Sequence, residues 1–361
     1  MKTKNELISE LIQNYGDDVT STEIRAYCVM KGMTFNDVVS QIEEHKVSNS
    51  KWNLNSVPEK NIPVENAILD RGYIPAKNPN YVPFGNFSDI KKIITSGIFY
   101  PFFITGLSGN GKTMSVEQAC AVLKRSMILF PVTIETDEDD LIGGFRLVNG
   151  ETVFHYGPVV EAMKTGSILL LDEIDYASNK ISCIQSVLAG NPLYLKKTGE
   201  TIYPKKGFNI IATANTKGKG SDDGRFIGTN VLNEAFLERF AVTFEQSYPT
   251  PAIEKKILKK EADSLNLDID PFIDKLIVWA ETIRKTFYDG GIDEVITTRR
   301  LVNIIRTYAI FNNKTKAINI SVARFDEETK TAFIEFYDKI DENFDKNQTD
   351  SPEGLDELLN V

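Results

Sequence analysis

The chain has 361 residues, with 41 Lys and Arg against 51 Asp and Glu, and a formal net charge of −10. That length fits about two to three domains, and the acidic balance argues against a protein that coats nucleic acid. No apolar run approaches the roughly 18 residues needed to cross a bilayer, and the N-terminus lacks a signal-peptide pattern, so a soluble cytoplasmic protein with no membrane partner is expected. Three cysteines (Cys28, Cys120, Cys183) and two histidines (His45, His155) are widely scattered, with neither a metal-ligand spacing nor a disulfide framework.

In chain order, residues 1–46 hold three short amphipathic patterns, Glu6–Asn14, Ser21–Lys31 and Asn36–Lys46, with cap-type starts at Thr20–Glu23 and Thr34–Asp37 and a stop at Gly32. They predict a small helical module. Residues 47–62 are polar and aperiodic and read as a linker. Residues 63–94 approach the core, with Pro79 and Pro83 keeping the chain extended.

From there to residue 249 strand and helix patterns alternate, as in an α/β fold with a parallel sheet. Ile98–Thr105, Met127–Ile134, Ser167–Leu171, Phe208–Ala214 and Ala241–Phe244 are the expected strands, giving a five-stranded parallel sheet over a 63–249 core. Two hairpins interrupt the alternation. Phe145–Val148 and Glu151–Phe154 flank Asn149-Gly150, the strongest two-residue turn signal, and Leu193–Lys196 and Thr201–Tyr203 flank Lys197–Glu200. Each reads as a surface hairpin or as a grip on a substrate or partner. Residues 250–340 form a helical lid, periodic through Ile253, Ile257, Leu258, Phe272, Ile273, Leu276, Ile277, Leu301, Ile304 and Ile305. Residues 341–361 carry seven acids against Lys346 and read as a solvated acidic tail.

The chemistry concentrates between the first strand and its helix. Gly106-Leu107-Ser108-Gly109-Asn110-Gly111-Lys112-Thr113 has the phosphate-loop spacing, and Met114–Lys124 reads as the helix leading out. Backbone N–H groups of such a turn wrap a triphosphate because few side chains obstruct them, and the helix N-terminus adds a favourable dipole. Gly106, Ser108, Gly109, Asn110 and Gly111 would cradle ATP. Lys112 would contact the β- and γ-phosphates, and the Thr113 hydroxyl would ligand Mg²⁺. The apolar strand Ser167–Leu171 ends in Asp172-Glu173-Ile174-Asp175, which places carboxylates at the edge where open sheets bind ligands. Asp172 is suited to hold Mg²⁺ through water, and Glu173 to orient or deprotonate the attacking water. An ATPase that hydrolyses is expected.

With these motifs in this order, followed by Asn215, Leu232–Phe240 and Thr297-Thr298-Arg299, the chain resembles the AAA+ ATPases. Its two hairpins resemble the helix-2 insert and pre-sensor hairpin of the MoxR-like branch. Asp140–Gly143, Ala212–Gly220 and Phe226–Thr229 are similar to CobS, the ATPase subunit of aerobic cobaltochelatase, a type also found in tailed-phage genomes, which would place a phage-encoded version in the host cytoplasm. The similarity covers about residues 80–340. It implies that Asn215 positions the attacking water, that Arg239 is an arginine finger reaching the ATP of a neighbouring subunit, and that Arg299 is a lid sensor, a role Arg300 would take in the adjacent register. It also implies a hexameric ring and a partner with a von Willebrand factor A domain, like CobT. Residues 1–46 have no counterpart in that pattern, and Thr298 stands where the family typically shows proline. A nucleic-acid motor and a scaffold that binds ATP without turnover are the alternative readings. Net charge disfavours the first, although Lys196-Lys197 and Lys205-Lys206 could bind phosphates locally. Intact Lys112, Glu173 and Arg239 disfavour the second.

Overall fold

The computed structural model describes residues 4–48, 50–54, 72–220, 228–342 and 344, in two compact units, Met1–Asp70 and Arg71–Val361. In the first unit, α1 (Lys4–Tyr15), β1 (Asp18–Thr20), α2 (Ser21–Lys31) and α3 (Phe35–Ile42) are followed by a 3₁₀ turn and by β2 (Lys46–Ser48) and β3 (Lys51–Asn53). The start of α2 is set by a reciprocal cap, in which the Thr20 hydroxyl accepts from the Glu23 amide while the Glu23 carboxylate accepts from the Thr20 amide at 2.8 Å.

This unit corrects two expectations. The third helix ends at Ile42 rather than Lys46, and the expected linker from residue 47 begins as folded structure, because β3 pairs between β1 and β2. Strands of three residues are too short to show alternation in a sequence. What fixes them is burial: Trp52 sits opposite Val19 and both are buried with Leu7, Leu11, Ile24, Tyr27 and Ile42. The rest of the expected linker and residues 63–71 lie outside the described residues.

The second unit opens with α4 (Phe87–Ser96), a helix absent from the sequence reading although Phe87, Ile90 and Ile94 have helical spacing. Then come β4 (Phe102–Thr105), α5 (Lys112–Leu123), β5 (Met127–Pro131), the short α6 (Glu138–Leu141), the hairpin β6 (Gly143–Val148) and β7 (Glu151–Tyr156), α7 (Pro158–Thr165) and β8 (Ile168–Asp172). After α8 (Gln185–Leu188) the second hairpin is only β9 (Leu193–Tyr194) and β10 (Thr201–Ile202), shorter than expected, and β11 (Asn209–Ala214), α9 (Glu234–Leu237) and β12 (Val242–Glu245) complete the core. The first strand starts at Phe102, not Ile98, since Pro101 has no N–H to give a ladder and Ile98 is exposed. The second stops at Pro131, not Ile134.

The sheet is the expected five-stranded parallel one, in the order β12-β4-β11-β8-β5. β8 is buried on both faces, as its unbroken apolar run requires. Because β11 is inserted between β4 and β8, three strand ends that are remote in sequence meet at one edge: Thr105 opposite Ala214, and Ala212 opposite Leu171. Asn149 and Gly150 both have positive φ, 51° and 84°, so the first hairpin turns as its sequence demands. The two hairpins are tied together. The Tyr156 hydroxyl donates to Glu200 at 2.6 Å, Lys164 lies 4.1 Å from the Tyr156 ring centroid and 3.5 Å from Glu200, and Lys197 pairs with Asp139.

The lid is α10 (Pro251–Ser264), α11 (Asp270–Tyr288), α12 (Thr298–Phe311), α13 (Lys314–Val322) and α14 (Glu327–Ile340) around Phe272, Leu276, Trp279, Leu301, Ile305 and Tyr337. The acidic tail starts later than expected. Asp341 is fully buried and pairs with Lys275 at 2.5 Å, and Phe344 packs on Tyr337. Residue 343 and residues 345–361 of that segment lie outside the described residues.

Candidate active site

Gly106 follows β4 with φ 148°, and a Cβ there would stand 2.2 Å from the Gln246 carbonyl oxygen, so only glycine lets the loop turn against the chain just after β12. The Asn110 side-chain amide donates to that same carbonyl, and the Tyr248 hydroxyl donates to the Ser108 carbonyl at 2.8 Å. The chain beyond β12 thus buttresses the phosphate loop, a support that no local motif reveals. Helix α5 begins at Lys112, two residues earlier than expected, with Gly111 at φ 86° as its cap. The Lys112 ammonium donates to the carbonyls of Gly106 at 2.7 Å and Leu107 at 3.0 Å and to Asn215 Oδ1 at 3.1 Å. Burial pushes it down to about 8, against the pull of Asp175, Asp172 and Glu173.

Across the sheet edge, Thr113 Oγ1 donates to Asp172 Oδ1 at 2.7 Å, and the Thr213 hydroxyl donates to the same oxygen. The Thr213 oxygen in turn accepts from the Glu173 amide at 3.2 Å. Glu173 itself is left-handed, with φ 56° and ψ 45°, a conformation that costs a non-glycine residue about 1 kcal/mol or more. Its carboxyl is raised above the usual range, first by burial and then by Asp172 and Asp175. Asp175 is fully buried, and its Oδ2 accepts from the amides of Asn215 and Thr216 at 2.9 Å each. It fixes the backbone that carries Asn215, and together with Thr213 it is the part of the site that sequence spacing alone does not assign. The Asp172-Glu173-Ile174-Asp175 run offered the carboxylate, but only strand register shows what it holds.

A cleft of ≈ 430 Å³ between core and lid is lined by Ser108, Gly109, Asn110, Gly111, Lys112, Thr113, Asp172, Glu173, Asn215 and Arg299, with Tyr81, Phe84 and Val302 among its apolar walls. That is ample for a nucleotide. The lid reaches it directly: the Arg299 amide donates to the Gly109 carbonyl at 3.3 Å, and a Cβ on Gly109 would meet Thr297 at 2.9 Å. Arg300 does not line this cleft. It donates to the Ser321 carbonyl and lies 4.3 Å from the Phe325 ring centroid. Arg239 is not brought into the cleft either. It follows α9, donates to the Ala235 carbonyl and sits within hydrogen-bonding distance of Gln185. Among the described residues no helix is long and apolar enough to cross a membrane.

Comparison with known proteins matches residues 101–240 to an AAA domain of the dynein-related subfamily. An uncharacterised protein of Staphylococcus saprophyticus is 32% identical over 213 residues, covering 56% of this chain and 75% of that protein. One from Staphylococcus epidermidis is 31% identical over 210 residues with the same coverage. Among solved structures, NtrX from Brucella abortus shares 16% identity over 69% of this chain and 53% of its own, with a TM-score of 0.41. The Thermotoga maritima RuvB Holliday junction branch migration motor shares 13% over 66% and 76%, with a TM-score of 0.36. At those scores the likeness carries no inference. The phosphate loop, the carboxylates at the end of β8 and the helical lid, with the matched domain and the staphylococcal relatives, place this chain in the AAA+ family as a P-loop enzyme that hydrolyses ATP.

Proposed function

We propose that the chain is the subunit of a ring-forming motor of the MoxR-like, CobS-like kind. The resemblance implies a hexamer that couples Mg-ATP hydrolysis to the remodelling of a partner protein with a von Willebrand factor A domain. Assistance to a separate metal-inserting subunit, as in cobalt chelation, is the most specific form of this reading. Thr113 and Asp172 suit a magnesium ion, being a hydroxyl and a carboxylate 2.7 Å apart beside a glycine cradle. Bound there, Mg²⁺ would neutralise charge on the β- and γ-phosphates. Lys112 adds its own charge to those phosphates, Glu173 takes the proton of the attacking water, and Asn215, held by Asp175, orients that water. Arg299 senses the phosphates from the lid.

The observation that carries the ring is the position of Arg239. Lys112, Thr113, Asp172, Glu173, Asn215 and Arg299 line the cleft, while Arg239 lies away from it on the core. In this reading a neighbouring copy presents its Arg239 to the γ-phosphate. Arg239→Ala should bind nucleotide normally and lose about 10³-fold in turnover. Subunits carrying Arg239→Ala and Glu173→Gln, each inactive alone, should regain activity on mixing, because some interfaces then join an intact Glu173 to an intact Arg239. Mixed oligomers with no recovered phosphate release would refute the trans role. The Glu173→Gln chain, locked with ATP, should capture the von Willebrand factor A partner. Capture of DNA instead would favour the nucleic-acid reading, against which stand the net charge and the pairing of Lys197 with Asp139.

A further inference from the structure

A second cavity, of ≈ 960 Å³, opens beside the phosphate loop on the other flank of α12, and its wall carries Arg299, Arg300, Arg306 and Arg324 against Asp293 and Glu294. The lid neutralises its other arginines carefully. Arg284 makes a two-pronged pair with Glu254 at 2.8 and 2.9 Å, and Arg306 meets Glu261 at 2.6 Å. Arg299, Arg300 and Arg324 have no carboxylate at ion-pair distance among the described residues. Arg300 and Arg324 lean on one ring, 4.3 and 5.6 Å from the Phe325 centroid, and the Nε of Arg300 is covered from solvent without a hydrogen-bond partner. Burial, then the neighbouring charge of Arg324, brings Arg300 down to about 10. Three guanidiniums without an ion pair outnumber the two carboxylates on the same wall, Asp293 and Glu294, and leave it net positive, which favours an anion. It is an extended one, since it runs from Ser108 at the phosphate loop to Arg324 after α13. A small anion could bridge the neighbouring Arg300 and Arg324, whereas a run of carboxylates suits the whole length of the wall.

The chain carries such a run. Beyond Phe344 the sequence holds Asp345, Asp350, Glu353, Asp356 and Glu357 against one Lys346. Phe344 is anchored on Tyr337 near the end of α14, and Arg324 stands just before the start of that helix. A helix of 14 residues is about 20 Å long, whereas Asp350 to Glu357, extended, reach about 20–45 Å from Phe344. We propose that the acidic segment 345–361, of the same or a neighbouring copy, docks in this cavity with its carboxylates on Arg300, Arg324 and Arg299. Arg299 also lines the nucleotide cleft, so docking draws it away from ATP and restrains turnover.

The direct test needs no hydrolysis and so stands apart from the motor reading. A fluorescein-labelled peptide of residues 345–361 is titrated into the full chain carrying Asn or Gln at Asp350, Glu353, Asp356 and Glu357. Saturable anisotropy is expected, weakened at least tenfold by Arg324→Glu and lost in high salt. A peptide with those four acids changed to Lys should bind the Arg324→Glu chain instead. Equal binding to both chains, no binding up to about 1 mM peptide, or binding of tripolyphosphate but not peptide overturns the proposal. The tail-neutralised chain should also hydrolyse ATP several-fold faster than the native one; unchanged turnover with intact peptide binding would refute the restraint.

Discussion

Lys112 is only 8% exposed and depends on carbonyl oxygens and Asn215 rather than on an adjacent carboxylate for its contacts. Its depressed value, about 8, has a measurable consequence. Above that pH the amine is neutral in the empty site, while phosphate charge favours the protonated form, so binding takes up a proton and affinity falls as pH rises through about 8. Titrating a labelled ATP analogue from about pH 7 to 9 should show this decline in the native chain. Lys112→Arg stays charged throughout, so whatever affinity it keeps should be flat over that range. An equally steep decline in the arginine variant would place the titrating group elsewhere. Glu173 moves the other way: in its proposed role as base, its raised carboxyl should make turnover fail on the acid side at a higher pH than a free glutamate would.

At the scale of elements, Thr298 explains itself once the lid is seen. It occupies the first turn of α12, where proline is comfortable, but its hydroxyl donates to Glu254 at 2.7 Å within a buried network. Glu254 holds both prongs of Arg284, whose Nε donates to the Ile296 carbonyl at 2.8 Å and whose guanidinium lies over Tyr248 at 4.2 Å. Tyr248 is the residue that grips the Ser108 carbonyl. Thr298→Val, alike in shape but without the hydroxyl, should cost about 1–3 kcal/mol in thermal unfolding. Glu254→Leu, which strands a buried guanidinium, should cost about 3–5 kcal/mol. The reverse order would show that the network is not centred on Glu254. None of this was legible in the sequence, because the contacts join residues from 12 to 140 positions apart. The phosphate loop was legible for the opposite reason: its chemistry needs consecutive backbone N–H groups, so order alone encodes it. Between these lie α4, whose spacing was present but masked by the nearby prolines, and the three-residue strands of the first unit, which no periodicity can announce.

For the whole molecule, the two units have separate cores. That of the first is built from Leu7 to Leu54 alone, so removing residues 1–55 should leave ATP hydrolysis largely intact and abolish recruitment of a partner. An inactive or insoluble remainder would make the first unit part of the motor. Within the second unit, the tie between the hairpins bears on force. Tyr156, Lys164 and Glu200 clamp the root of one to the tip of the other, and Lys197 anchors that tip to α6. Two springs joined in this way act in parallel, and their stiffnesses add. A load applied to either protrusion therefore returns to the sheet by two routes at once, through β7 into α7 and through β10 into β11, the strand whose end carries Asn215. A compliant loop would yield alone to a tug on its tip, whereas a tug on either of these braced hairpins also loads the other.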